Sequence, residues 1–377
     1  MTAPSLNTLL PILLLVSPAF TQPSFHRFLT LFSGWVRTTG LHAVTESLVV
    51  ASVSGTLHHA AFHRFFSRAR WSLDEVGRLL LLKLVALVPG PLRLVLDDTL
   101  CTHKGPKVFG LGVHVDAVRS TRKRRLLTFG HVWVVLAVLV PVPFSGRVWA
   151  LPVLFRLFRT QADCQKTGGK HLKKTQLARQ LVEQVKRWLP DKPVELVADS
   201  AYSCREVLRH LPPGVVFTGS MCANATLQRP RTRKYRSPTT GRLLTRDIRL
   251  PNPEKIARDK KVPWLCMTLT FYGELKQVQY KELVARWYRS AGKPLLKSSS
   301  SRCLVANCPC ASSSVRTALA RLVKSLKAIA GAGPLRCSSA TSSNCWAFPP
   351  RVRALAWQCC ARLLGWGCAT PSWCSGT

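Results

Sequence analysis

Three aspartates, which occur in two similar settings, are the residues of this sequence best suited to do chemistry. The apolar run Leu92–Leu96 is followed at once by Asp97 and Asp98, and the run Pro193–Ala198 is followed by Asp199. A short apolar run bounded by turn residues is typical of a buried strand. Carboxylates at the end of such strands are suitable ligands for a hard divalent cation. We therefore expect two acids at one metal site; the alternative is two solvated turns after core strands.

The charge of the chain limits the kind of partner it has. The 377 residues carry a formal net charge of +38, and the pI is near 10.8. Such a charge predicts a polyanionic partner, above all double-stranded DNA, with an acidic membrane surface as the weaker alternative. The longest apolar stretches, Leu9–Val16 and Val132–Val142, are too short to span a bilayer. We therefore expect a cytoplasmic protein that associates with the nucleoid and has no membrane partner.

The hydrophobic pattern changes near residue 90. Before it, helical periods predict three helices, over Ser5–Phe32, Thr45–Phe66 and Ser72–Val88. After it, runs rich in Val, Leu and Phe predict strands, and one amphipathic helix precedes Asp199. The predicted strands lie at Leu92–Leu96, Val108–Val118, Leu126–Val142, Arg147–Leu157, Val215–Thr218, Trp264–Tyr272 and Val278–Tyr288, and the helix at His171–Leu189.

Two basic segments are candidates for contact with DNA phosphates. The first is a turn of four consecutive cations between two predicted strands, and the second is a loop rich in Arg, Lys, Pro, Ser and Thr. Such runs are often only solvated, but in a chain this basic they are also candidate phosphate contacts. The cations concerned are Arg122, Lys123, Arg124 and Arg125 in the turn, and Arg231, Arg233, Lys234 and Arg236 in the loop.

The order of these features resembles a known family. L-D-D-T at 96–99, H-K-G-P at 103–106, V-A-D-S-A-Y at 197–202 and L-P-N-P at 250–253 occur in one sequence with a predicted meander of strands between the two acids. Over residues 5–297 the chain resembles the DDE transposases of bacterial insertion sequences. Within these it is similar to the branch whose RNase-H-like catalytic core is interrupted by a β-rich insertion.

The resemblance implies a fold and a division of the chain. The implied fold is α/β, an RNase-H-like mixed sheet flanked by helices, with an N-terminal helical region and a β-rich insertion. We assign residues 1–90 to a helical DNA-binding region, 91–202 to the first part of the catalytic core and 203–297 to the insertion. Residues 298–377 form a tail that we expect to be poorly ordered.

The resemblance also implies residue roles and partners. Family members bind the terminal inverted repeats of their element and cut DNA with two Mg²⁺ ions held by an Asp, Asp, Glu triad. Asp199 matches the second acid, and Asp97 or Asp98 matches the first. We favour Asp98, which is next to Thr99; strand alternation lets only one of the two face the site. Lys104 is implied to contact a phosphate. The expected partners are terminal-repeat and target duplex DNA, with a homodimer assembled on the DNA.

The third acid of the triad is missing from the place where the family has it. Residues 298–377 contain no Asp or Glu, but nine of the 14 cysteines and fourteen serines. This composition indicates translation out of frame. When the third base of each codon is read with the first two of the next, Ala328–Phe348 can encode Y-C-W-R-W-A-V-E-V-L-F-R-D-L-K-Q-L-L-G-F. That string resembles the third-acid helix and has its Glu straddling Leu335 and Arg336. A genuine Ser- and Cys-rich tail is the alternative.

These observations lead to one expected function and one alternative. The expected protein binds insertion-sequence ends for Mg²⁺-dependent cleavage and strand transfer. In this form it is expected to be inactive and to hold at most one ion stably, because the third acid is missing. The alternative is a DNA-binding relic or regulator of transposition that has no catalytic role.

Overall fold

The fold is described by a computed structural model. It describes residues 6–303 and 316–320, except for residues 41, 54, 56, 104–107, 122, 143–146, 230–234, 237–238, 242, 245–246, 272–273, 293 and 295. Within these residues an α/β architecture is present. Helices α1 to α5 precede a mixed sheet, and further helices lie between its strands.

The N-terminal region is helical, as the sequence predicts. The five helices are α1 (Leu6–Leu15), α2 (Gln22–Arg37), α3 (Val44–Val50), α4 (Ala60–Ser67) and α5 (Leu73–Leu87). Two of the three predicted helices are split. The first is interrupted by the 3₁₀ turn Ser17–Ala19, where Pro18 disfavours the helical conformation of the residue before it. The second is interrupted between α3 and α4, where Gly55 has a φ of 122°.

Helix α5 joins the N-terminal helices to the sheet. Its N-cap is Ser72, whose hydroxyl accepts a hydrogen bond from the backbone N–H of Glu75 over 3.3 Å. Leu79 and Leu80 of α5 pack against the aromatic cluster of the N-terminal helices, and Leu81 is buried in the core of the sheet. The helix therefore contributes apolar side chains to both clusters.

One mixed sheet contains ten of the strands. Its strands are β1 (Leu92–Thr102), β2 (Gly112–Val115), β3 (Leu127–Val142), β4 (Arg147–Phe158), β5 (Val194–Ala198), β6 (Val215–Met221), β11 (Leu265–Phe271), β12 (Glu274–Ala285), β13 (Leu296–Cys303) and β14 (Arg316–Ala320). Four two-residue strands form separate ribbons, namely β7 (Gln228–Arg229) with β10 (Ile248–Arg249), and β8 (Tyr235–Arg236) with β9 (Leu243–Leu244). The remaining helices are α6 (Gln161–Thr167), α7 (Lys174–Trp188), α8 (Arg205–Leu208), α9 (Pro253–Arg258) and α10 (Tyr288–Ala291).

The central strand order confirms the RNase-H-like prediction. Strands β1, β3 and β4 form an antiparallel meander, and β5 and β6 continue the sheet parallel to β1. The central order is thus β4-β3-β1-β5-β6. Beyond β6 the sheet continues through β14, β13, β12 and β11, and β2 pairs with the start of β3. Strand β6, which lies in the segment assigned to the insertion, is therefore part of the central sheet.

The predicted tail begins inside this sheet. Residues 298–303 belong to β13, which pairs with β12, and residues 316–320 form β14, which pairs with β13 and β6. These two short segments of the tail are paired strands. Residues 304–315 and 321–377, including the segment Ala328–Phe348, lie outside the described residues.

The core lies between the sheet and helices α5 and α7. Along β1, Leu92, Leu94 and Leu96 are fully buried, and they pack in one cluster with the apolar stripe of α7. That stripe consists of Leu177, Leu181 and Val185, whose spacing is that of one helix face. The packing of α7 on this face fixes where its first residue, Lys174, meets the sheet.

Candidate active site

Asp98 and Asp199 lie where the pairing of two adjacent parallel strands ends. The pairing of β1 with β5 ends at Leu96 opposite Ala198; Asp199 is the next residue after β5, and Asp98 lies two residues beyond Leu96 on β1. The sequence predicts that this strand ends at Leu96, before the acids. In the structure β1 continues to Thr102, because β3 pairs with it over its whole second half. The first acids therefore lie within a strand, at the level where its parallel partner ends.

Alternation along β1 separates the two neighbouring aspartates. Asp98 is in phase with Leu94 and Leu96, on the face that α7 covers. Asp97 is in phase with Val95, which packs in a separate cluster with Leu139 and Val197. The Asp97 carboxylate accepts a hydrogen bond from the backbone N–H of Asp98 over 2.8 Å. The geometry thus brings Asp98, and not Asp97, toward the α7 side of the sheet.

Both carboxylate oxygens of Asp98 are bound by side chains from other elements. The ammonium of Lys174, at the start of α7, lies 2.6 Å from Oδ2. The hydroxyl of Tyr202, in the loop after β5, donates to Oδ1 over 3.1 Å. Burial, followed by the charge of Asp98, raises the pKa of Tyr202, so the hydroxyl keeps its proton and acts as the donor.

Asp199 is held in a buried position close to Asp98. Its Oδ1 accepts a hydrogen bond from the N–H of Ala201 over 2.9 Å, and its backbone carbonyl accepts one from the hydroxyl of Ser203 over 3.3 Å. Burial, and next the negative charge of Asp98, raise the pKa of Asp199 to about 6, while backbone N–H groups and Lys174 act in the opposite direction. The two carboxylates are therefore close enough to repel each other.

The two carboxylates are ligands of the right type for a divalent ion, but there are only two of them among the described residues. Two mutually repelling carboxylates are oxygen ligands of the kind that Mg²⁺ prefers, and a cation between them would relieve their repulsion. Within the described part of the chain, no group of three or more His, Cys, Asp or Glu side chains is arranged to hold a metal. Among those same residues, the pair therefore fits one ion and offers no anchor for a second.

Two buried histidines lie beside the site. His131, on β3, contacts the backbone carbonyl of Phe109 through Nε2 over 3.1 Å. Burial, followed by the nearby His103 and His114, lowers the pKa of His131 to about 3. Burial, followed by the charge of Lys174, likewise lowers the pKa of His114. Both rings are thus neutral near pH 7, and neither places a positive charge near the acids.

The predicted DNA-binding residues are only partly described. Lys123, Arg124 and Arg125 are exposed in the turn between β2 and β3. Val134, which pairs with Asp98, is seven residues from the start of β3 at Leu127, so the turn lies roughly 24 Å along the strand from the level of Asp98. Arg236 is described only as part of the backbone of β8. Lys104, Arg122, Arg231, Arg233 and Lys234 lie outside the described residues.

Two residues of the site are not predicted from the sequence. Lys174 lies in the predicted helix His171–Leu189, and Tyr202 is the last residue of V-A-D-S-A-Y, one of the stretches that carry the family resemblance. They are separated from Asp98 by 76 and 104 residues along the chain. One local signal points to Lys174. It lies in the first turn of a helix that has no acid in that turn, although the positive end of the helix dipole disfavours a cation at this position.

The sheet order defines a class of fold, an RNase-H-like core. The family described as DDE superfamily endonuclease matches residues 16–284, more than two-thirds of the chain. The chain belongs to this family. Membership confirms the resemblance to DDE transposases, and it implies nuclease- or transposase-type activity on DNA.

Two further findings accompany the family match. A comparison with curated proteins finds none that matches this chain. Among the helices of the described residues, not one has both the length and the apolar character needed to cross a membrane.

Proposed function

We propose that this chain is a DDE transposase that binds the ends of an insertion sequence and, in this form, does not cut them. The observation that carries the proposal is the approach of Asp98 and Asp199 at the ends of the β1–β5 pairing. Membership of the DDE superfamily supports the reaction class, and the paired acids support divalent-metal chemistry. The partner is duplex DNA, both as terminal inverted repeat and as target.

The proposed roles follow the geometry. Asp98 and Asp199 would hold one Mg²⁺, which would supply Lewis-acid activation at a phosphodiester. Without an anchored second ion, either the attacking water or the leaving oxygen goes unactivated. Asp97, on the opposite face of β1, is not a ligand. The side chains of Lys123, Arg124 and Arg125 are exposed and contact backbone phosphates away from the acids.

The proposed inactivity rests on the third acid. Residues 298–377 contain no Asp or Glu, although the chain has seventeen. An electrostatic stabiliser positioned in an active site is commonly worth ~10²–10³ in rate, and the loss of a metal ligand costs at least as much. We interpret the segment as out of frame, with the reading frame restored by a shift after Lys297.

A DNA-binding relic or regulator is the second candidate. The ion pair between Lys174 and Asp98 favours it, because the ammonium occupies a carboxylate oxygen that a catalytic metal ion would need. Under either proposal the protein associates with the nucleoid and is expected to dimerise on DNA. The domain division at residues 90, 202 and 297 also remains part of the proposal.

The experiment compares two versions of the protein on duplex DNA that carries the terminal repeats flanking the gene. The 377-residue chain is expected to bind these ends without cutting them. A version with the frame restored after Lys297 is expected to cut them in Mg²⁺, and Asp199→Ala in that version is expected to abolish cutting. Normal cutting by the 377-residue chain would overturn the proposed inactivity, and sequencing the gene around codon 297 checks the frame independently.

A further inference from the structure

Lys174 occupies an unusual place for a lysine. It is the first residue of α7, where the backbone N–H groups and the helix dipole already present positive charge. Its ammonium lies 2.6 Å from Oδ2 of Asp98, and its side chain is 38% exposed. The same ammonium also acts on the buried carboxylate of Asp199. One cation therefore faces both acids of the site while retaining access to solvent.

A divalent ion and this ammonium compete for the same oxygen. Oδ1 of Asp98 accepts a hydrogen bond from Tyr202, and Oδ2 accepts one from Lys174, so the ammonium lies at the oxygen that a metal ion would approach. Mg²⁺ requires its oxygen ligands at about 2.0–2.1 Å in nearly octahedral geometry. An ammonium hydrogen-bonded to the same carboxylate would lie within a few ångströms of the ion, where two cations repel each other strongly.

In the same position the ammonium has a second favourable neighbour besides Asp98. Nζ of Lys174 lies 5.7 Å from the centre of the Phe158 ring, within the range of a cation–π contact. Because the side chain is partly exposed, it can leave Oδ2 without burying an unpaired charge. Exchange of the ammonium for a metal ion therefore requires a rotation of one side chain and no movement of the strands.

We propose that Lys174 is the resident counter-ion of the Asp98–Asp199 pair, and that a divalent cation binds there only by displacing it. This inference rests on the proposed function, because it takes the two acids as the metal ligands. Lys174 is then a positioning residue that keeps the acids together in the metal-free protein and sets how tightly they take up the ion. A site closed by its own cation for about nine-tenths of the time would bind the ion roughly tenfold more weakly than an open one.

The test measures the binding of Mn²⁺ to the full 377-residue chain by electron paramagnetic resonance of the free ion. Lys174→Met is expected to tighten binding on the order of tenfold. Lys173→Met, which removes the neighbouring exposed lysine, is expected to leave it unchanged. Lys174→Arg keeps the charge and is expected to bind no more tightly than the unchanged protein. Asp199→Asn added to Lys174→Met is expected to remove the gain, which places the ion at this site.

The outcomes separate the inference from the proposed function. Equal Mn²⁺ affinity in Lys174→Met and Lys173→Met, with binding that still depends on Asp199, would overturn the displacement of Lys174 and leave the metal site standing. Tightening in Lys174→Arg as large as in Lys174→Met would also overturn it, because charge would then not be the cause. If no variant shows binding that depends on Asp199, both the inference and the proposed metal site fail.

Discussion

The Tyr202 hydroxyl donates a hydrogen bond to Oδ1 of Asp98 over 3.1 Å, so the loop after β5 is tied to the middle of β1. Tyr202 is fully buried, and its ring belongs to the same apolar cluster as Leu94 and Leu96. The bond therefore links the two strands that carry the acids, and it fixes the orientation of the Asp98 carboxylate.

Tyr202→Phe removes this bond and leaves the ring in place. We expect the free energy of unfolding to fall by about 1–2 kcal/mol, because a part-buried carboxylate loses a donor. Urea unfolding measures the change. Tyr288→Phe, at an exposed tyrosine, is the control and should change stability by less than about 0.5 kcal/mol. An equal effect of the two substitutions would contradict the structural role of the Tyr202 hydroxyl.

Gly77→Ala tests the packing of α5 on the sheet. In an isolated helix alanine is favoured over glycine by about 1 kcal/mol. Here a Cβ at Gly77 would lie 2.1 Å from the backbone carbonyl oxygen of Val153 on β4. We therefore expect destabilisation of about 1–3 kcal/mol, as for other overpacked sites, measured by urea unfolding. Lys83→Ala on the exposed side of α5 is the control, and stabilisation by Gly77→Ala would contradict the packing.

His131 predicts a pH dependence of stability. The pKa of His131 is about 3 in the folded chain, against about 6.5 for an unperturbed histidine. As the pH falls from 6.5 toward 3, the unfolded chain takes up a proton that the folded chain refuses, so stability falls by up to about 1.4 kcal/mol per pH unit. Above pH 6.5 both states are neutral and the contribution is fully present.

His131→Gln isolates this contribution from that of the other titrating groups. The amide can still donate to the carbonyl of Phe109 but does not titrate. We expect the slope of unfolding free energy against pH, measured between pH 4 and 6.5, to be shallower in the variant. Parallel curves for the two proteins would show that His131 is not held neutral by the fold.

The exposed turn between β2 and β3 predicts salt-sensitive DNA binding. Residues 1–297 carry 46 Lys and Arg against 17 acids, a net charge of +29. Replacing Lys123, Arg124 and Arg125 by Ala should weaken binding to any duplex and flatten the logarithmic salt dependence by about 0.9 for each phosphate that the variant no longer neutralises. Fluorescence anisotropy at several salt concentrations measures both. An unchanged slope would place the phosphate-binding side chains elsewhere in the chain.

The sequence was informative wherever one face of a strand or helix had to be buried. Continuous apolar runs predicted β3 and β4 almost to their ends, and period-two alternation predicted that Asp97 and Asp98 lie on opposite faces of β1. Helix breaks were less predictable. The split at Ser17–Ala19 depends partly on Pro18, which is a local signal. It depends also on the packing of Phe20 with Phe28 and Trp71, and no local pattern reveals that packing.

The partners of Asp98 could not be predicted, because they depend on distant pairing. Lys174 contacts Asp98 because α7 packs on the face of the sheet that carries Leu94 and Leu96. Tyr202 contacts it because β5 lies beside β1. The extension of the sheet by β13 and β14 was missed for the same reason. Strand β13 contains residues of low β-propensity, such as Ser298–Ser301, and β14 joins the central sheet by pairing with β6, a strand far away in the chain.

The central claim is that Asp98 and Asp199, and not Asp97, are the acids of a DDE active site. The most direct test is single-turnover cutting of end DNA in Mg²⁺ by the version with its frame restored after Lys297, carrying either Asp98→Asn or Asp97→Asn. We predict that Asp98→Asn loses at least ~10³ in rate, while Asp97→Asn stays within about tenfold because its side chain faces the opposite side of β1. Full activity of Asp98→Asn with loss in Asp97→Asn would contradict this account.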